Sequence, residues 1–116
     1  MTLYLISFEE GSMDFPAEDM PDVARAAVAV RKEAAEAGVF VFSGGLDYDV
    51  EAFQVDAGGV VTDGPYPESK ELIGGLMIVD VPTREAAAEW AAKVATACRC
   101  AQDVRLFRSA PPSSPR

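Results

Sequence analysis

The chain predicts an α+β fold, a ferredoxin-like antiparallel sheet with two helices on one of its faces. Three observations carry this prediction. Segments of strand and helix character follow one another as strand, helix, strand, hairpin, strand, helix, strand. Right-handed crossovers then place both helices on the same side of one sheet. The 116 residues fit one compact domain, and with 49% of them hydrophobic a core can form without metal or disulfide.

Residues 2–8, Thr-Leu-Tyr-Leu-Ile-Ser-Phe, are rich in aromatic and branched side chains and read as the first strand. A polar loop with Gly11 and Pro16 leads into a helix. Pro21 suits its first turn, and Asp19 and Asp22 suit its positive end. Val23, Ala26, Ala27, Val30, Ala34 and Ala37 recur at helical spacing, and Gly38 is placed to end the helix in the left-handed conformation. Val39 to Phe42 is the second strand, closed by Ser43-Gly44-Gly45. Glu51 to Val55 and Val60 to Thr62 form a hairpin across Asp56-Ala57-Gly58-Gly59. The segment from Thr62 to Gly75 reads as an ordered loop with one helical turn at Glu68 to Leu72. Leu76 to Val81 is a strongly apolar strand. Thr83 is the expected N-cap of a second helix, with Glu85 in its first turn and Ala86, Ala87, Trp90, Ala91 and Val94 as its apolar stripe. Val104 to Arg108 is the last strand, so the domain covers 1–108. Ser109 to Arg116, with three prolines, reads as a disordered tail.

Two helices can cover only one sheet face. Along the second strand Val39 and Val41 are expected to point one way and Phe40 and Phe42 the other; Leu76, Met77, Ile78 and Val79 repeat the pattern. Strands apolar at consecutive positions imply burial on both faces. Leaving four such side chains wet would forfeit several kcal/mol, at about 2 kcal/mol each. The expected cover is a second copy packed sheet to sheet about a two-fold axis, a homodimer.

The formal net charge of -9, from 19 acidic and 10 basic residues, repels phosphate backbones and anionic membranes, so nucleic-acid and membrane partners are not expected. The first residues lack the basic start and cleavage site of a secretory signal, and no apolar run reaches membrane-spanning length. Cys98 and Cys100 are too close in sequence to make a useful staple and read as reduced thiols of a cytoplasmic protein.

Histidine is absent, which removes Ser-His-Asp and Cys-His nucleophile systems. Two cysteines one residue apart cannot complete a zinc site, so no metal or cofactor is expected. The alternate acids Asp47, Asp49 and Glu51 resemble hard-cation spacing but lack the glycine and distant glutamate of a calcium loop. They read as a solvated face. Neither Gly44-Gly45 nor Gly58-Gly59 has a phosphate-loop pattern around it. Asp63-Gly64-Pro65 can be a structural turn, or a carboxylate held at a strand end for proton transfer, with Tyr66, Glu68 and Lys70 as polar neighbours. Gly74-Gly75 implies close approach by a backbone or a ligand, or relief of crowding at a strand start. Trp90 reads as core. Arg105 alternates with Val104 and Leu106 and can point into a dimer cleft toward an anionic partner such as Asp63 or Glu68.

Val61-Thr62-Asp63-Gly64-Pro65-Tyr66, then Glu68, Lys70, Glu71 and Gly74-Gly75, form a long signature. Val81-Pro82, Glu85-Ala86, Trp90-Ala91 and Val104-Arg105 continue it. In these residues the chain resembles the YCII-related family, in the branch named for an Asp-Gly-Pro-Phe signature; Tyr66 stands in place of the usual Phe. The resemblance covers the C-terminal two-thirds well and the first fifty residues in outline. It implies a dimeric α+β barrel, similar in fold to muconolactone-isomerase-like enzymes. Some relatives carry a histidine–aspartate pair suspected of acid–base work, which this chain cannot reproduce. Relatives of the branch are often associated with extracytoplasmic-function sigma factors, which implies an accessory role.

The expected function is binding of a small organic molecule in a cleft between the sheet and the motif loop. Any catalysis there is cofactor-free proton transfer, with Asp63 as base and Tyr66 or Lys70 as donor. Ser43, Glu68, Gly74, Gly75 and Arg105 are the expected ligand-binding residues. The alternative is a non-catalytic regulatory or interaction module whose motif is structural.

Overall fold

The computed structural model describes residues 2–64 and 72–109. Strand β1 (Leu3–Glu9) is followed by a 3-10 turn at Ala17–Asp19, helix α1 (Met20–Glu36) and strand β2 (Phe40–Gly45). A hairpin of β3 (Phe53–Val55) and β4 (Val61–Asp63) precedes β5 (Ile73–Asp80), helix α2 (Arg84–Cys98) and β6 (Asp103–Leu106). Four strands form one antiparallel sheet in the order β2-β5-β1-β6, and among the described residues β3 and β4 pair only with each other. This is the expected ferredoxin-like arrangement.

The core lies between the sheet and the helices. Tyr4, Ile6, Met77, Val79 and Val81 meet Ala87 and Ala91 of α2, and Val30, Phe40, Trp90 and Val94 pack against that cluster. Trp90 is thus part of the core surround, as expected, with Lys93 Nζ 5.6 Å from its ring centroid. Helix ends follow their sequence signals at two places. Thr83 Oγ1 accepts a hydrogen bond from Ala86 N at 3.1 Å, capping α2. Gly38 takes φ +77° just past α1. Asp19 behaves differently. It holds the N-cap position of α1 without a capping bond, and its carboxylate accepts from Arg99 Nη1 at 2.7 Å instead. Arg99 itself ends α2 with φ 59°, and its guanidinium lies 5.8 Å from the Phe15 ring.

Strand β2 departs from the expected alternation. Phe40 pairs with Val79 and Phe42 with the adjacent Ile78, so a bulge at Val41 puts the two phenylalanines on opposite faces. Phe40 packs into the core, while Phe42 stands 56% exposed on the other side. That side also carries Leu5 opposite Ile78, and Leu76, all half-buried. The face away from the helices therefore carries an apolar patch, as expected, with Arg105 and Asp103 on the same side. β2 also runs on through Ser43-Gly44-Gly45, which were expected to end it, because Gly44 and Gly45 pair with Leu76 and Gly75 of a β5 that itself begins three residues earlier than expected.

The β3–β4 hairpin is built around Asp56, whose Oδ1 accepts from Gly58 N at 2.9 Å and Val60 N at 3.0 Å, with Gly59 at φ +82°. Its side chains, Phe53 and Val55 among them, are exposed. Most of the helical turn expected at 68–72 and nearly all of the tail expected at 109–116 lie outside the described residues. Among the described residues no helix is long and apolar enough to cross a membrane.

Candidate functional site

A cavity of about 250 Å³ opens between the sheet and the two helices, at the end of the sheet where β2 and β5 bring their glycines together. Its floor is sheet backbone. Ser43, Gly44 and Gly45 of β2 lie beside Gly75, Leu76 and Met77 of β5. Ser43 pairs with Met77 and Gly45 with Gly75, so these four share the helix-facing side. Phe8 of β1 and Met13 close one flank. The roof is Ala27, Val30 and Arg31 of α1 with Val94, Ala97 and Cys98 of α2, and Gln102 follows α2. The space exists because small residues face each other. Alanines at 27 and 97 above glycines at 45 and 75 leave volume that larger side chains would fill.

The glycines on the floor are not equivalent. A Cβ on Gly75 would stand 2.7 Å from Cε1 and Cζ of Phe8, and one on Gly74 would stand 2.9 Å from Phe8 Cε2 and 3.0 Å from Glu10 Cα. The Gly74-Gly75 pair is there to admit the Phe8 ring and the Glu10 backbone. A Cβ on Gly45 meets nothing nearer than Gly74 O at 3.7 Å. Further hydrogen bonds fix this sheet end: Glu10 N donates to Leu72 O at 2.7 Å, Leu46 N to Gly74 O at 2.9 Å, and the Tyr48 hydroxyl to Ile73 O at 2.7 Å.

The walls are mainly apolar, and their polar groups are few. Arg31 is the one charged side chain among the described lining residues. Gln102 spends its Nε2 on Cys100 O at 3.2 Å and Cys100 Sγ at 3.5 Å, while its buried Oε1 has no hydrogen-bond partner. Cys98 and Cys100 are free thiols. Burial, and then the neighbouring Cys100, push the Cys98 thiol up. Burial also raises Cys100, partly offset by its bond from Gln102. Both are held protonated, which makes them poor nucleophiles.

The family model described as YCII-related domain matches residues 2–106. The chain belongs to the YCII-related domain family. No curated protein matches it.

In this YCII-related domain the residues singled out in the sequence fall into three groups. Ser43 and Gly75 line the cavity, and Gly74 is buried next to it. Asp63 and Arg105 lie elsewhere. Asp63 ends β4 opposite Phe53, exposed and outside the lining, where Gly64 N closes the hairpin onto Ala52 O at 2.8 Å. Arg105 pairs with Leu5, which puts it on the face away from the helices, with Nη2 3.9 Å from Asp103 Oδ2. Tyr66, Glu68 and Lys70 lie outside the described residues. Asp47, from the alternating acids, accepts from Asp49 N at 2.9 Å as a turn residue. Sequence reasoning missed the helix-side lining, Arg31 and Gln102 above all. The helical stripes identify Ala27, Val30 and Val94 as inward-facing, but a stripe does not say whether the space it faces is filled.

Proposed function

We propose that this YCII-related domain binds a small organic molecule in the cavity between its sheet and its helices. One observation supports this above the rest: an apolar space, open over Gly45 on its floor, is kept in a core where alanine-to-larger changes would close it. Such a space, with few polar groups converging on it, is the usual form of a small-molecule site. No aspartate or glutamate stands among its described lining residues, so binding fits the site better than proton transfer by Asp63. Acid–base work by Asp63 with Tyr66 or Lys70 remains the catalytic form of the proposal. The Asp63-Gly64-Pro65 signature supports placement in the Asp-Gly-Pro-Phe branch of the family, the uncovered apolar sheet face supports a homodimer, and the two free thiols support a cytoplasmic setting.

The test is Gly45→Leu. The backbone at Gly45 has room for a side chain, so the variant should fold and fill the cavity from its floor. Small apolar molecules that shift the backbone amide resonances of Ser43 to Gly45 in the native protein should then lose their effect. If such molecules shift nothing in either protein, the cavity is not a binding site. The second reading, a non-catalytic interaction module, draws on the exposed β3–β4 hairpin that carries the signature aspartate. Asp63→Asn separates the two: a large fall in melting temperature marks a structural motif, and an unchanged melt with lost binding marks a site.

A further inference from the structure

The charge pattern of the cavity narrows what it can hold. The chain carries nearly two acids for every base, yet the described lining includes no acid and one base, Arg31. On α1 the positions that neighbour Arg31 one turn away are Ala27, Val28, Ala34 and Ala35, none able to pair with it. Arg25, Lys93 and Arg99 pair with Asp22, Glu33 and Asp19, while Lys32, Arg84 and Arg108 share Arg31's lack of an acid among the described residues but stand outside the cavity lining. Among the described residues no carboxylate pairs with Arg31. Arg31 lines an apolar space and has no acid partner among the described residues, and a guanidinium that reaches into such a space matches a carboxylate geometrically and electrically.

We infer that the cavity takes a small monocarboxylic acid with an apolar body, its carboxylate on Arg31 at the α1 wall and its hydrocarbon part over the Ser43–Gly45 floor. This rests on the small-molecule reading above and deepens it. One cation favours one carboxylate; a second carboxylate would have to sit against apolar walls without a partner. The volume, about 250 Å³, lies just below the roughly 300–1,000 Å³ of sites for drug-sized ligands, so the acid is compact. The overall charge of -9 opposes an approaching anion at long range. That field is screened beyond about 8 Å at physiological salt, whereas a direct contact with Arg31 at a few ångströms is weakened far less.

The test compares three molecules of one shape by amide-shift titration: phenylacetate, neutral phenylacetamide and cationic 2-phenylethylamine. Phenylacetate should bind the native protein roughly five- to tenfold more tightly than phenylacetamide, and the amine least. Arg31 is exposed, so Arg31→Gln should fold normally and bring phenylacetate down to the level of phenylacetamide, leaving the latter unchanged. Equal binding of acid and amide to the native protein, or a preference that survives Arg31→Gln, overturns the carboxylate assignment while the cavity stands. If none of the three shifts the Ser43–Gly45 amides, the binding site itself is refuted, and this inference with it.

Discussion

At Gly75 an added methyl group would collide with the Phe8 ring, while at Gly45, its partner across the ladder, the same methyl makes only an ordinary contact with Gly74 O at 3.7 Å. Gly75→Ala should therefore cost about 1–3 kcal/mol, the usual range for overpacking, and Gly45→Ala less than about 0.5 kcal/mol. Urea unfolding of the two variants checks this, and similar losses at both positions would show that the Phe8 ring gives way. The Gly74-Gly75 pair was legible in the sequence as a point of close approach. What approaches was not, because Phe8 is more than sixty residues away and meets the pair only through the β1–β5 register. The thiols give a pH prediction. Burial holds Cys98 and Cys100 above the ordinary value of 9.0, so the folded chain keeps protons that the unfolded chain releases. Their contribution is complete below pH 9 and is lost as pH rises from there through the raised folded values. Unfolding free energy measured between pH 8 and pH 11 should fall less steeply for Cys98→Ala than for the native chain. Parallel slopes would mean the buried thiol is not part of the linkage.

At the scale of elements, local signals were the readable ones. The N-cap at Thr83, the left-handed Gly38 and the Asp56 turn each depend on residues within four positions, and each forms as expected. Thr83→Ala removes the acceptor for Ala86 N and should cost about 1 kcal/mol, with faster hydrogen exchange confined to the first turn of α2. A loss spread evenly along the helix would argue against a capping role. The errors arose where an element's limits are set by its neighbour. Glycines and a serine suggested an end to β2, yet a strand tolerates them when β5 supplies a ladder partner opposite each of them. The bulge at Val41 was invisible for the same reason. An apolar run of four gives no sign of which residue falls out of step.

For the whole molecule the outstanding feature is a sheet covered on one side. Phe42, Leu5, Leu76 and Ile78 stand on the other; hiding Phe42 is worth about 2 kcal/mol, and the three half-buried side chains less each. Light scattering at micromolar concentration should give twice the mass of the chain, and Phe42→Asp, at an exposed position of the edge strand β2, should give a folded single chain. A native single chain would remove the case for pairing. The fold class and the apolar second face could be read from the order and composition of segments alone. The cavity could not, since it depends on how far alanine-faced helices stand off a glycine-floored sheet. That floor has an evolutionary consequence. Because the bottom of the cavity is main chain, its shape is common to any sequence that keeps the strands paired and glycine at 45 and 75. The substitutions able to change the bound molecule are therefore concentrated on the helices, at positions such as 27, 31 and 97. Descendants of one ancestral chain could exchange one guest for another there, a residue at a time, without disturbing the ladder that holds the domain together.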